Sequence, residues 1–371
     1  MPSATRAEPA ITRLIVKLRS ASASELAQPM SASRMQALTA TAGVSMRSVR
    51  AISGGASLLA LDAAVPLSEA KNIAARLALN PAVEYAEPDV MLKKLATPNE
   101  VRFMEWQWNL FAPTATYAGV APGTVLITPT TTTGGANLPL AWDVTTGASN
   151  AVVAIIDTGI TNHTDLNGQP PGNTYIPAGR FLAGYDFISS NGGTLPANFV
   201  ANDGDSRDAD PSDPGDWVTA IEESTHPECD DGQPGPQNSS WHGTHVAGVV
   251  AATANNMTGI AGIGWNIRIL PVRALGKCGG LLSDIAEAIR WAAGLPVPGV
   301  PTNATPAQVI NLSLGGGSTC SGSMQSAVDA AIAAGSVVVV ATGNEGEVGL
   351  SSPANCSGVI AVTAHTINGE N

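Results

Sequence analysis

Two hydrophobic rhythms divide this sequence. In the first, apolar positions alternate in short runs over residues 11–18, around Leu14, Val16 and Leu18, and recur at helical spacing over residues 33–40. Residues 44–52 and 57–61 then read as strands flanking the turn Ser53-Gly54-Gly55. A second helical stretch over residues 67–79 stops at Asn80-Pro81, and residues 83–86 supply a last strand. The order strand, helix, strand, strand, helix, strand predicts a small α+β unit of the ferredoxin-like kind.

From Val152 the rhythm changes to short, nearly continuous apolar runs separated by helical patterns. Candidate strands cover residues 152–156, 267–272, 309–312, 337–341 and 359–363, and candidate helices cover 242–254, 283–293 and 323–334, with Gly335 placed as a C-terminal cap. Runs rich in β-branched residues with helices between them predict an α/β domain, a parallel sheet covered on both faces. In such a sheet the active residues sit at the carboxyl ends of the strands. Residues 99–140 follow neither rhythm: Pro, Thr and Gly dominate, and Trp106 and Trp108 are the expected anchors of a segment that wraps onto the second domain.

Composition narrows the function. A formal net charge of −12 and no apolar run long enough for a bilayer argue against nucleic acid or a membrane as partner. Cys229, Cys278, Cys320 and Cys356 contain no C-x-x-C pair, so two disulfides fit better than a zinc site, and three pairings stay open. The first residues carry no apolar leader, and if the protein is secreted its signal peptide is expected to be missing from this sequence.

The chemistry lies in two short motifs. Val152-Val-Ala-Ile-Ile-Asp157-Thr-Gly159 puts a carboxylate at a strand end where the chain turns, and Trp241-His242-Gly-Thr-His245-Val-Ala-Gly248 opens a helix of small residues with a histidine. Near its ordinary pKa a histidine takes a proton from a hydroxyl, while a buried aspartate fixes its tautomer and stabilises the imidazolium. A zinc site on His242 and His245 lacks a third ligand cluster and the H-E-x-x-H pattern. Asp203, Asp205, Asp208, Asp210, Asp213 and Asp216 crowd a Pro- and Gly-rich loop, a donor set of the kind calcium takes.

Together these motifs resemble the subtilisin-like serine proteases, over most of residues 138–363. The resemblance implies a subtilisin-like α/β sheet, with Asp157 and His242 as the catalytic aspartate and histidine and Asn344, in Ala-Thr-Gly-Asn344-Glu-Gly, as an oxyanion donor. It places Ser313, Leu314 and Gly315 along the S1 wall, with Gly279 and Gly280 on the opposing substrate edge. It implies pairing of Cys229 with Cys278 and of Cys320 with Cys356, and structural calcium on Asp208, Asp210, Asp213 and Asp216, with Asp165 and Asn256 as a second calcium place. The family's order is aspartate, histidine, serine, and no nucleophile motif follows Asn344. Gly322-Ser323-Met324 resembles that motif only superficially, and Ser323 is expected to cap the helix that follows.

The expected organisation is a propeptide over residues 1–95, an N-terminal wrapping segment over 96–137 and a catalytic domain over 138–371 cut before its serine. Val83-Glu-Tyr-Ala-Glu-Pro-Asp89 resembles the tail of an inhibitory propeptide lying in its own cleft, with cleavage near residues 95–97. The implied protein is a secreted, monomeric precursor of an endopeptidase acting on peptide and protein substrates, inactive as this chain alone. The competing reading is a non-catalytic pseudoprotease or a propeptide-inhibited binding fragment.

Overall fold

The computed structural model describes residues 10–19, 30–52, 56–89, 97–100, 102–113, 116–117, 120–121, 124–126, 130–131, 133–189, 195–229, 235–316, 319–344 and 349–370. The turn at residues 53–55, most of the expected cleavage window, and Glu345 and Gly346 lie outside them. The chain divides into two compact units, Met1–Lys94 and Leu95–Asn371.

The first unit runs β1 (Ala10–Leu18), α1 (Ala32–Ala42), β2 (Met46–Ile52), β3 (Ala56–Pro66), α2 (Leu67–Ala78) and β4 (Val83–Pro88). Its four strands stand in the order β2-β3-β1-β4, with antiparallel pairing between neighbours, which is the ferredoxin-like arrangement. Period-two alternation sends Leu14, Val16, Leu59 and Leu61 to one face, where Met35 and Leu38 of α1 and Ile73 and Leu77 of α2 close the core. Asn80 ends α2 by accepting the Ala82 amide at 3.0 Å, which turns the chain into β4.

In the second unit α3 (Leu138–Val144) leads into β5 (Val152–Asp157), and β6 (Tyr185–Asp186), α4 (Ala220–Thr225) and α5 (His242–Ala251) follow. The chain then gives β7 (Arg268–Arg273), α6 (Leu282–Ala292), β8 (Val309–Leu312), α7 (Gly322–Ala333), β9 (Val337–Ala341) and β10 (Ile360–Val362). The sheet is parallel, in the order β6-β7-β5-β8-β9-β10. Val152, Ala154 and Ile156 face α6 and α7, while Ile155 faces Ala247 and Ala251 of α5, so each strand of this centre is buried on both sides. That double burial is why the strands read as unbroken apolar runs.

Three expectations change. The helix expected over 242–254 stops at Ala251, because the Thr253 amide is taken by the Asp165 carbonyl at 2.7 Å and the chain leaves the helical path. Trp106 remains 39% exposed under the Arg102 guanidinium and is not an anchor of the wrapping segment. Phe103, Leu110 and Phe111 bury against Trp142 and Ala261 instead, and the Gln107 side chain exchanges two bonds with the Ala261 backbone at 2.7 and 2.8 Å. At the start of α7 the cap is Ser321, whose hydroxyl accepts the Met324 amide; Ser323 shares a hydroxyl bond with Ser321. The cap needs a residue in extended backbone before the first turn, and Ser323 already lies within the helix.

Candidate active site

Asp157 ends β5 at the carboxyl edge of the sheet and has no solvent exposure. Its two oxygens lie 2.8 and 3.0 Å from His242 Nδ1, and the Thr158 amide donates to Oδ1 at 2.7 Å. A carboxylate oxygen accepts, so Nδ1 carries the proton and Nε2 keeps its lone pair. The bond to Asp157 pushes the His242 pKa up, desolvation opposes it, and the charges of Asp157 and Asp216 add to the rise. The arrangement supplies a general base whose imidazolium is stabilised as it forms.

Backbone contact sets this geometry. A Cβ on Gly243 would sit 2.2 Å from the Gly159 carbonyl oxygen and 3.1 Å from Asp157 Cβ, so the first turn of α5 reaches the strand end only because that residue is glycine. Trp241, before the helix, takes a left-handed conformation at φ 51°, which costs about 1–2 kcal/mol for a residue with a side chain. Two further carboxylates hold the helix start in place. Thr158 Oγ1 accepts the Gly243 amide at 3.0 Å and donates to Asp213 Oδ2 at 2.7 Å. Asp216 accepts the Ser240 amide at 2.6 Å and its hydroxyl at 2.7 Å, and Ser240 Oγ accepts the His242 amide at 3.3 Å. Negative charge at a helix N-terminus is itself favourable. Thr158 and Ser240 carried no signal in the sequence beyond their place beside the motif.

His242 lines a cleft of about 830 Å³ whose lining also includes Gly279, Gly280, Ser313, Leu314 and Gly315. The segments expected from the sequence to edge a substrate therefore line the same cleft as His242. Gly316 pairs with Ser352 across the far wall, and Cys229–Cys278 bridges a wall at Gly279; the second disulfide joins Cys320 to Cys356. Asn344 follows β9 at the same sheet edge, is exposed, and is not among the residues lining this cleft.

In the acidic loop the four aspartates expected to hold calcium each accept a hydrogen bond. Asp208 accepts the Asp210 amide and Asp210 the Ser212 amide, so both cap turns of their own loop. Asp213 and Asp216 face away towards Thr158 and Ser240. The four lie within nine residues of the sequence, and their carboxylates accept from different donors. Among the described residues no three His, Cys, Asp or Glu side chains are grouped to hold a metal ion.

The Asp165 region is different. Asp165 is 3% exposed and accepts from Asn256 Nδ2 at 2.8 Å and the Ile260 amide at 3.1 Å. Beside it Glu100 is 4% exposed and accepts the Asn256 amide on Oε1, while its Oε2 is buried with no hydrogen-bond partner. Two carboxylates and an Asn side chain bring oxygen donors together here, and a buried orphan oxygen is the group a hard cation would satisfy. Sequence reasoning missed Glu100, which lies 65 positions before Asp165 with no motif around it.

The sequence profile of the subtilase family matches residues 148–371. An extracellular protease of Xanthomonas campestris pv. campestris is 45% identical over 337 residues, covering 90% of this chain and 50% of that protein. The extracellular basic protease of Dichelobacter nodosus is 37% identical, covering 89% of this chain and 48% of its own length. A solved protease structure from Pseudoalteromonas arctica is 44% identical at a TM-score of 0.59, over 74% of this chain and 67% of that one. The chain thus spans about half the length of the curated relatives it matches. The profile match, the subtilisin-like parallel sheet and the aspartate–histidine pair agree, and the chain belongs to the subtilase family of serine proteases.

Proposed function

We propose that this chain is the front part of the precursor of a secreted serine endopeptidase. The observation that carries the reading is His242 bonded through Nδ1 to a fully buried Asp157 on the wall of a cleft with two substrate edges. In that reading His242 Nε2 takes the proton of a serine hydroxyl as it attacks the scissile carbonyl, then returns it to the leaving amine. Asp157 holds the imidazole in that tautomer, and Asn344 is the oxyanion donor. The substrate runs extended between residues 279–280 and 313–315, pairing through its main chain. These 371 residues hold no serine in the family's nucleophile motif and are expected to be inactive alone.

Its ferredoxin-like topology supports the first unit as an inhibitory propeptide removed at maturation, and the protein is read as a monomer. Two disulfides and the extracellular relatives support secretion. Glu100, Asp165 and Asn256 would hold a structural calcium ion, which neutralises the buried acids and ties the wrapping segment to the loop after α5. The test is self-processing of the full-length precursor. The wild type is expected to release a fragment ending near residues 95–97, and His242→Ala to stay intact. A His242→Ala precursor that matures like the wild type contradicts the reading.

A further inference from the structure

We infer that Asp216 makes the cleft beside His242 selective for a cationic side chain, arginine or lysine, on the substrate residue adjacent to the one held by residues 313–315. The inference rests on the peptide-cleaving function proposed above. Among the described residues lining the cleft, Asp216 and His242 alone carry titratable side chains, apart from the bridged Cys229 and Cys278. Asp157 and Asp213 are buried, so neither presents charge to a ligand. Asp216 is half-buried and does.

Among the described residues no lysine or arginine pairs with Asp216, and its carboxylate is held in place. The bonds from the Ser240 amide and hydroxyl aim the carboxylate without neutralising it, and a carboxylate has acceptor capacity beyond two bonds. The lysine of this neighbourhood, Lys277, is committed elsewhere: it is 4% exposed, bonds Glu222 at 2.8 Å and lies 4.7 Å over the Trp217 ring. Asp216 also stands close enough to His242 for its field to raise that pKa.

Strand geometry then selects the substrate position. Side chains of an extended peptide alternate between opposite sides. If one is held by residues 313–316 with Met324 and Pro353, its neighbour turns to the other side, and in this proposal it meets His242 and Asp216, which line the same cleft. A guanidinium or ammonium there meets the Asp216 carboxylate, whereas a neutral side chain leaves it facing solvent.

A purely structural role for Asp216, anchoring Ser240, predicts something else, and substrate ratios separate the two. The natural full-length enzyme after maturation is assayed at low salt with two fluorogenic peptides that differ only in arginine or its neutral near-isostere citrulline at that position. We expect kcat/KM to favour arginine about tenfold. Asp216→Asn is expected to bring the ratio close to one, and Ser240→Ala, which removes the anchor and keeps the charge, to preserve the preference. The ratio cancels any general loss of activity in either variant. If Asp216→Asn does not fold, the wild-type ratio in rising salt answers the same question, since screening must erode it. Equal hydrolysis of both peptides by the wild type, or a preference that survives Asp216→Asn or high salt, overturns the inference and leaves the protease reading intact. An enzyme that hydrolyses neither peptide overturns both.

Discussion

Two acidic regions of the second unit invite comparison: the loop from Asp203 to Asp216 and the pocket around Asp165. The first is dense in sequence and reads as a cation site. Its carboxylates are nevertheless distributed, capping turns at Asp208 and Asp210 and bracing the histidine helix through Asp213 and Asp216. The second is sparse in sequence, with Glu100 and Asp165 arriving from distant segments, yet it holds a buried oxygen with no partner. Unsatisfied valence, rather than the number of acids in a run, marks a place for a cation.

The comparison breaks most easily at Asp157. Asp157→Asn in the full-length enzyme is expected to lower kcat by about 10⁴-fold, the magnitude seen in subtilisin itself when its triad aspartate is removed. A loss under tenfold would mean that His242 is oriented by something else. The Asp165 side is sharpened by thermal unfolding with calcium and with a chelator. A cation at a hundred times its Kd stabilises by about 2.7 kcal/mol. Glu100→Gln should remove most of the calcium-dependent rise in Tm, and Asp208→Asn should leave it in place. The reverse pattern would restore the acidic loop as the cation site.

Thr158→Val tests whether the first region braces the helix. It strips the Gly243 amide of its acceptor and leaves the buried Asp213 carboxylate short of a donor, at a cost of about 1–3 kcal/mol. A denaturant midpoint unchanged by the substitution would count against the brace. The smallest effect is on pH dependence. Because the His242 pKa is raised, the acid limb of kcat/KM should lie above the ordinary histidine value of about 6.5. Removing the Asp216 charge should move it down. The same shift contributes folding stability that is fully present below the unfolded-state pKa and is lost as pH rises through the folded value. An acid limb below the ordinary value would contradict the geometry.

Much of the fold was legible because its signals are local. Val152–Asp157 is continuous in apolar residues since both faces are covered, and Leu14, Val16, Leu59 and Leu61 alternate since one face is. The edge strand Tyr185–Asp186 and the short helices α3 and α4 escaped, being too brief for a period to show. At the site, Asp157 and His242 announced themselves through the turn glycine and the small residues around them. The roles of Thr158, Ser240 and Glu100 depend on partners up to 156 positions away in the chain, and no spacing encodes those.

The central claim is that His242 and Asp157 activate a serine. The most direct measurement treats the matured full-length protein with a fluorophosphonate and maps the modified residue by mass spectrometry. The account predicts one labelled serine, in a nucleophile motif, with labelling abolished by His242→Ala. Labelling on Ser323, labelling that persists in His242→Ala, or no labelling of the matured enzyme would contradict it.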